Sequence, residues 1–297
     1  MTDKVKASEI EAQLTKADRI HRTVSADGTE IAGTVHGEGP PLVLLHAGLG
    51  SGTLDWSFAL PFLEDRFTCY CMSTRSRGLS ADHPDLSLKS EVEDVVAFVE
   101  SLGEPVGLAG PSGGAMFVLG AAAHSEAVAA AAACDPLAFE LLTEEDEARL
   151  HHATERMAGF AGDGQLEEAA RDWVTEWAND EEMSALSESG YLEACAKYVP
   201  VLLQELQQAE EEEEEEAYSP TDPSVLSKIK VPVLILKGSK AESVWPWFAE
   251  SVRYIAEHVP NASVREVPDA GHMGAWVEPR SYAEELVRFF ENHHTPA

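Results

Sequence analysis

A serine with glycines two residues to either side, Gly110-Pro111-Ser112-Gly113-Gly114, separates two stretches of different character. An apolar run, Val106 to Ala109, precedes it, and an alanine-rich segment from Ala115 to His124 follows. The pattern reads as a buried strand that stops, turns sharply at Ser112 and starts a helix. Glycines at 110 and 114 remove side chains that would collide with the turn or keep helix and strand apart. Such a turn lifts the serine Oγ above the sheet edge. It also aims the unpaired N–H groups of a helix N-terminus at that point, which suits a developing oxyanion. Gly-x-Ser-x-Gly occurs in ordinary loops too; the strand before and the helix after set this one apart.

A serine is a weak nucleophile and needs a base within hydrogen-bond reach, itself oriented by a third group. Of eleven histidines, His272 is placed for the task, in Pro268-Asp-Ala-Gly-His272 just past the last strand-like run. Gly48, in the loop His46-Ala-Gly-Leu-Gly-Ser51, offers a backbone N–H as a second oxyanion donor. That glycine-rich loop has no Gly-Lys-Ser/Thr and no Gly-x-Gly-x-x-Gly in register, so a nucleotide site is not expected. His46 reads as a loop anchor rather than a base.

A helix is expected within Met1 to Asp18, where Ile10 and Leu14 lie four apart. Ile20–Ser25 and Glu30–His36 flank Asp27-Gly28, a hairpin signal. Strands follow at Leu42–Leu45, Phe67–Met72, Val106–Ala109, Ala127–Cys134, Lys230–Leu236 and Ala262–Val267. Amphipathic helices are expected over Asp85–Leu102, Trp247–His258 and Arg280–Phe290. Alternating strands and helices predict an α/β fold, a mostly parallel sheet with helices on both faces. Gly48, Ser112 and Asp135 all fall at strand C-termini, the edge where such sheets bind ligands.

Between Leu137 and about Ser227 the pattern is helical without a strand, with 25 acidic residues against 4 basic ones. We expect residues 137–227 to form an inserted helical lid, 20–136 and 228–297 to form the core, and 1–19 an N-terminal extension. Trp173 and Trp177, four apart, are expected to pack on the core. The run Glu210–Glu216 is expected to be a solvated helix end or loop.

The formal charge of −32 argues against nucleic acid and anionic membranes as partners. It also predicts stability that rises with salt, as screening removes self-repulsion. No apolar stretch is long enough to cross a bilayer. Cys69, Cys71, Cys134 and Cys195 show no metal-type spacing, and we expect reduced thiols in a cytoplasmic protein with neither metal nor cofactor. The oligomeric state is left open.

From Ile20 to Phe290 the chain resembles the α/β-hydrolase family. The resemblance rests on Leu45-His46-Ala-Gly48, Arg75-Ser-Arg-Gly-Leu-Ser80, Gly110-Pro-Ser112-Gly-Gly114, Val231-Pro-Val-Leu-Ile-Leu-Lys-Gly238 and Gly271-His272. It implies Ser112 as nucleophile, His272 as general base, the backbone of Gly113 and Gly48 as oxyanion donors, and a lid between the sixth and seventh strands. Three positions depart from the family pattern. Ser73 replaces the aspartate that usually opens the arginine-glycine loop, and Pro111 replaces a frequent histidine. Ala241 stands where the usual triad acid would be.

Two carboxylates could fill that gap. Glu242 is one residue late; Asp135 ends strand six, where a minority of the family, including the zearalenone lactonases, keeps its acid. We favour Asp135, with Glu242 as the alternative. The expected function is cofactor-free hydrolysis of a small, neutral, apolar ester or lactone, with Trp245, Trp247 and Phe248 near the mouth of the site and Trp245 and Trp247 at the substrate. Carbon–carbon bond hydrolysis by the same residues, or a non-catalytic binding module of the same fold, are the alternatives.

Overall fold

Runs of β-branched and apolar residues with no polar alternation are suited to strands covered on both faces. In the computed structural model, which describes residues 6–14, 16, 19–211 and 218–293, such runs form the middle of one eight-stranded sheet, whose first and last strands are largely exposed. Its strands are β1 (Ile20–Val24), β2 (Glu30–His36), β3 (Pro41–Leu45), β4 (Thr68–Ser73), β5 (Val106–Pro111), β6 (Val128–Cys134), β7 (Val233–Gly238) and β8 (Ala262–Val267). The order is β1-β2-β4-β3-β5-β6-β7-β8. The β1–β2 hairpin and the β2–β4 pair are antiparallel, and all other pairs are parallel. The hairpin turns at Gly28, whose φ of 96° is open to glycine without strain.

The helices before β6 are α1 (Ala7–Leu14), α2 (Gly52–Trp56), α3 (Leu88–Ser101) and α4 (Gly113–His124). Between β6 and β7 come α5 (Glu144–Gly162), α6 (Leu166–Thr175), α7 (Asp180–Ser189), α8 (Tyr191–Cys195), α9 (Val199–Glu211) and α10 (Pro223–Leu226). After β7 come α11 (Ala241–Val244), α12 (Trp247–His258), α13 (Gly274–Val277) and α14 (Pro279–His293). The expected N-terminal helix appears as α1; residues 1–5, 15, 17 and 18 lie outside the described residues, as does the stretch Glu212–Glu216 of the glutamate run.

One sheet face packs Val43, Leu108 and Ile235 against Val95 of α3, Val118 of α4 and Ile255 of α12. The opposite face packs Leu44, Ala132 and Leu236 against Leu286 and Phe290 of α14. A third apolar cluster joins the α5–α9 segment to the strand C-termini through Trp173, Trp177, Leu202, Met116 and Phe248. All four cysteines are free and buried. Among the described residues no helix is long and apolar enough to cross a membrane.

Arg75 and Arg77, which follow β4, are fully buried and tie distant elements together. Arg75 forms a fork on Asp94 of α3 (2.6 and 2.8 Å) and reaches Asp27 of the hairpin turn at 2.8 Å. Arg77 grips Glu205 of α9 at 2.7 and 2.8 Å and donates to the Gly50 carbonyl at 3.2 Å. Arg77 thereby links the loop after β3 to α9, between β6 and β7.

Candidate active site

Ser112 sits between β5 and α4 with φ 53° and ψ −123°, a strained backbone for a residue with a side chain. Such conformations cost about 1–3 kcal/mol and persist only where the surroundings impose them. The surroundings here are tight. The Ser112 N–H donates to the Cys134 carbonyl at 2.9 Å, and a Cβ at Gly110 would meet the Gly114 backbone at 2.7 Å. Held in that turn, Ser112 Oγ lies 3.1 Å from His272 Nε2 across 160 residues of chain.

Two backbone N–H groups flank the serine. Gly113 opens α4, and a Cβ placed on it would fall 3.3 Å from Gly48 N, so the two loops run side by side. The Ala47 N–H is already committed to Asp55 at 2.7 Å, which leaves the next one, Gly48 N–H, beside Gly113. His46 anchors this loop: Nδ1 meets the Ala47 carbonyl at 2.7 Å, and Nε2 accepts from Thr74 N–H at 3.1 Å. Burial lowers the His46 pKa to about 3, so it stays neutral.

His272 is buried, and its ring stacks face to face on Phe248 at 4.3 Å and 7°. Trp177 lies 5.7 Å away on another side. Burial lowers the His272 pKa to about 3, which keeps the imidazole in its base form at neutral pH. Its Nδ1 is buried without a hydrogen-bond partner among the described residues.

No carboxylate among the described residues, the expected Asp135 included, bonds to that nitrogen. Asp135 does stand at the end of β6, with φ 46°, but the structure does not bring it to His272. Its Oδ1 accepts from Gly238 N–H at 2.9 Å and its Oδ2 from the Tyr282 hydroxyl at 2.6 Å. Both oxygens are thus committed to β7 and α14, and neither bonds to Nδ1. Burial raises the Asp135 pKa to about 7, and these two hydrogen bonds oppose the shift. Glu242, the alternative, is exposed on α11.

A cavity of about 600 Å³ opens over the serine, lined by Gly48, Ser112, Gly113, His272 and inserted-segment residues including Trp173, Val174 and Trp177. Trp245 and Trp247, expected at the substrate, are not among its lining. Trp245 Nε1 donates to Asp146 at 2.7 Å while Arg149 covers its ring at 4.1 Å, and Trp247 Nε1 donates to the Ala138 carbonyl at 2.9 Å. They support Trp177 and Phe248 from behind, because α12 places Phe248 rather than either tryptophan against His272. Trp173 and Trp177 pack on the core, as their spacing indicates, and also face the cavity.

Three further carboxylates belong to the surroundings of the site: Glu91, Glu182 and Glu205. Glu91 and Glu205 line the cavity, and buried Glu182 accepts from Gly271 N–H at 2.9 Å. Only Glu182 carried a local signal. Asn179-x-x-Glu182 is a capping-box spacing, and both of its hydrogen bonds form.

Known proteins resemble this chain over most of its length. An N-formylmaleamate deformylase of Pseudomonas putida is 25% identical over 248 residues, 81% of this chain and 84% of that protein. An esterase from a Rhodococcus species superposes with a TM-score of 0.73 at 20% identity, covering 92% of this chain and 99% of that one. An enol-lactonase from Burkholderia xenovorans superposes with a TM-score of 0.68 at 17% identity, covering 91% and 100%. Residues 42–288 match the Alpha/beta hydrolase family, and the chain belongs to it.

Proposed function

We propose that the protein is a serine hydrolase that cleaves a small, neutral carboxylic ester or lactone through an acyl-enzyme on Ser112. The observation that carries this reading is the 3.1 Å approach of His272 Nε2 to a serine Oγ held on a strained elbow beneath the cavity. Ser112 Oγ attacks the carbonyl carbon as its proton passes to Nε2. The N–H groups of Gly113 and Gly48 bind the oxyanion of the tetrahedral intermediate. Nε2 then protonates the departing alkoxide, and a water deprotonated by the same nitrogen releases the acid. The α5–α10 segment acts as a lid that keeps bulk water from these steps.

Charge supports a neutral substrate. The described cavity lining includes Glu91, Glu140, Glu147, Glu205 and Glu210, and no lysine or arginine. A maleamate is an anion, so the substrate of the deformylase relative is a poor fit to this lining. The esterase and lactonase likenesses agree with the chemistry proposed. One observation favours a second reading: an imidazole whose Nδ1 lacks a carboxylate suits a ligand-binding module with an idle serine.

A panel of neutral short-chain esters and lactones, each beside an analogue ending in a carboxylate, tests the proposal. Turnover of the neutral members, lost in Ser112→Ala, and preference over the carboxylate analogues by at least about tenfold is the expected result. Tight binding of panel members without turnover would favour the binding module, and preference for the anions would overturn the substrate class.

A further inference from the structure

With Nδ1 unpartnered, something else must hold His272 on Ser112. The Phe248 stack fixes the plane of the ring, and the carbonyls of Gly271 and Met273 accept from Gly274 N–H and from Trp276 and Val277 N–H, which leaves the backbone N–H groups on either side of His272 to be paired. That backbone is held by Glu182, the third residue of α7 in the inserted segment. Its Oε1 accepts from Gly271 N–H at 2.9 Å, and the Met273 N–H on the other side of His272 also bonds to the carboxylate. A capping-box glutamate usually lies on the surface; this one is 3% exposed and spans 89 residues to reach the loop. Gly271 is fitted to it, since a Cβ there would fall 2.7 Å from the Glu182 carboxyl carbon.

We propose that Glu182 is a positioning residue: the inserted segment supplies a carboxylate that grips the backbone on both sides of His272 and holds Nε2 against Ser112. The inference rests on the Ser112–His272 pair being the reacting pair. Burial raises the Glu182 pKa, and the backbone N–H groups of Asn179, Gly271 and Met273 oppose that shift by bonding to the carboxylate. Activity is therefore tied to the docking of α7, not only to the core.

The experiment compares rates of Ser112 labelling by a fluorophosphonate, together with kcat and KM on a neutral ester, in three proteins. Glu182→Gln retains the side-chain volume but presents an amide N–H₂ to backbone donors. It should lower the labelling rate and kcat by at least about tenfold, with KM changed less than about threefold. Asn179→Ala removes the side chain that caps the same helix yet leaves the Glu182 carboxylate in place. It should label within about twofold of wild type if helix stability is not the cause. Should E182Q fail to fold, Gly271→Ala displaces the carboxylate from the loop side and must show the same loss.

Wild-type labelling rates in E182Q, or equal losses in E182Q and N179A, would overturn the positioning role while leaving the proposed reaction intact. An unlabelled wild type would remove both.

Discussion

Gly114→Ala tests the oxyanion geometry without touching any group assigned a chemical role. Gly114 is the second residue of α4 and packs on the loop that carries Gly48. A methyl there would press into the His46 carbonyl oxygen and lie 3.0 Å from its carbon. Carbon atoms in contact normally sit about 3.5–4.0 Å apart, so helix and loop must separate by roughly 0.5–1 Å. Both neighbours are backbone, and the loop cannot swing freely because His46 is pinned to Ala47 and Thr74.

The separation falls between Gly113 N–H and Gly48 N–H, whose convergence on one oxygen requires distances of about 2.7–3.1 Å. Loss of one such donor costs about 10²–10³ in kcat. Overpacking should lower stability by about 1–3 kcal/mol, which leaves most of the protein folded. Steady-state kinetics on a neutral ester and a thermal melt read both effects. Gly159→Ala in α5, where a Cβ meets nothing within 4 Å, is the control and should gain about 0.5–1 kcal/mol with unchanged kcat. A folded G114A variant with kcat within about threefold of wild type would refute the two-donor reading.

Three other perturbations have defined outcomes. Because burial holds the His272 pKa near 3, kcat/KM should stay level from pH 7 to pH 5, and an acid limb centred near 6.5 would contradict the buried base. Native Asp135 keeps its proton up to about pH 7, whereas the unfolded chain releases it near 3.8, so this group stabilises the fold at low pH and the contribution is lost as pH rises toward 7. Urea unfolding should therefore show Asp135→Asn gaining stability on wild type by roughly 2–4 kcal/mol between pH 5 and pH 8. A gap independent of pH would count against the buried protonated carboxyl. The same variant should keep kcat within about tenfold, not lose the roughly 10⁴ expected of a carboxylate on Nδ1. Arg77→Met strands the buried Glu205 carboxylate and should cost about 3–5 kcal/mol in unfolding experiments; a cost below about 1 kcal/mol would show that the pair does not secure α9.

Local signals carried most of the fold. The Glu30–His36, Ala262–Val267 and Trp247–His258 elements match their sequence ranges, because period and turn chemistry act over a few residues. The elbow at Ser112 was legible for the same reason, as glycine spacing is a local requirement. What could not be read was which side chains meet across long stretches of chain. Asp135 ends its strand as expected, yet the chemistry of Tyr282, 147 residues later, decides where its oxygens point. The aromatic residues after β7 were visible as a group. Only the rotation of α12 puts Phe248 on His272 and sends Trp245 and Trp247 behind it. Glu182 looked like one more acid in a strongly acidic segment, since nothing near it in sequence indicates the loop it reaches.

The most direct test of the central claim is intact-mass analysis after exposure to a fluorophosphonate, with peptide mapping of the adduct. The account predicts one adduct on Ser112 in the wild type and none in His272→Ala under the same conditions. An unmodified wild type, folded and in molar salt, would contradict it and leave the elbow as architecture.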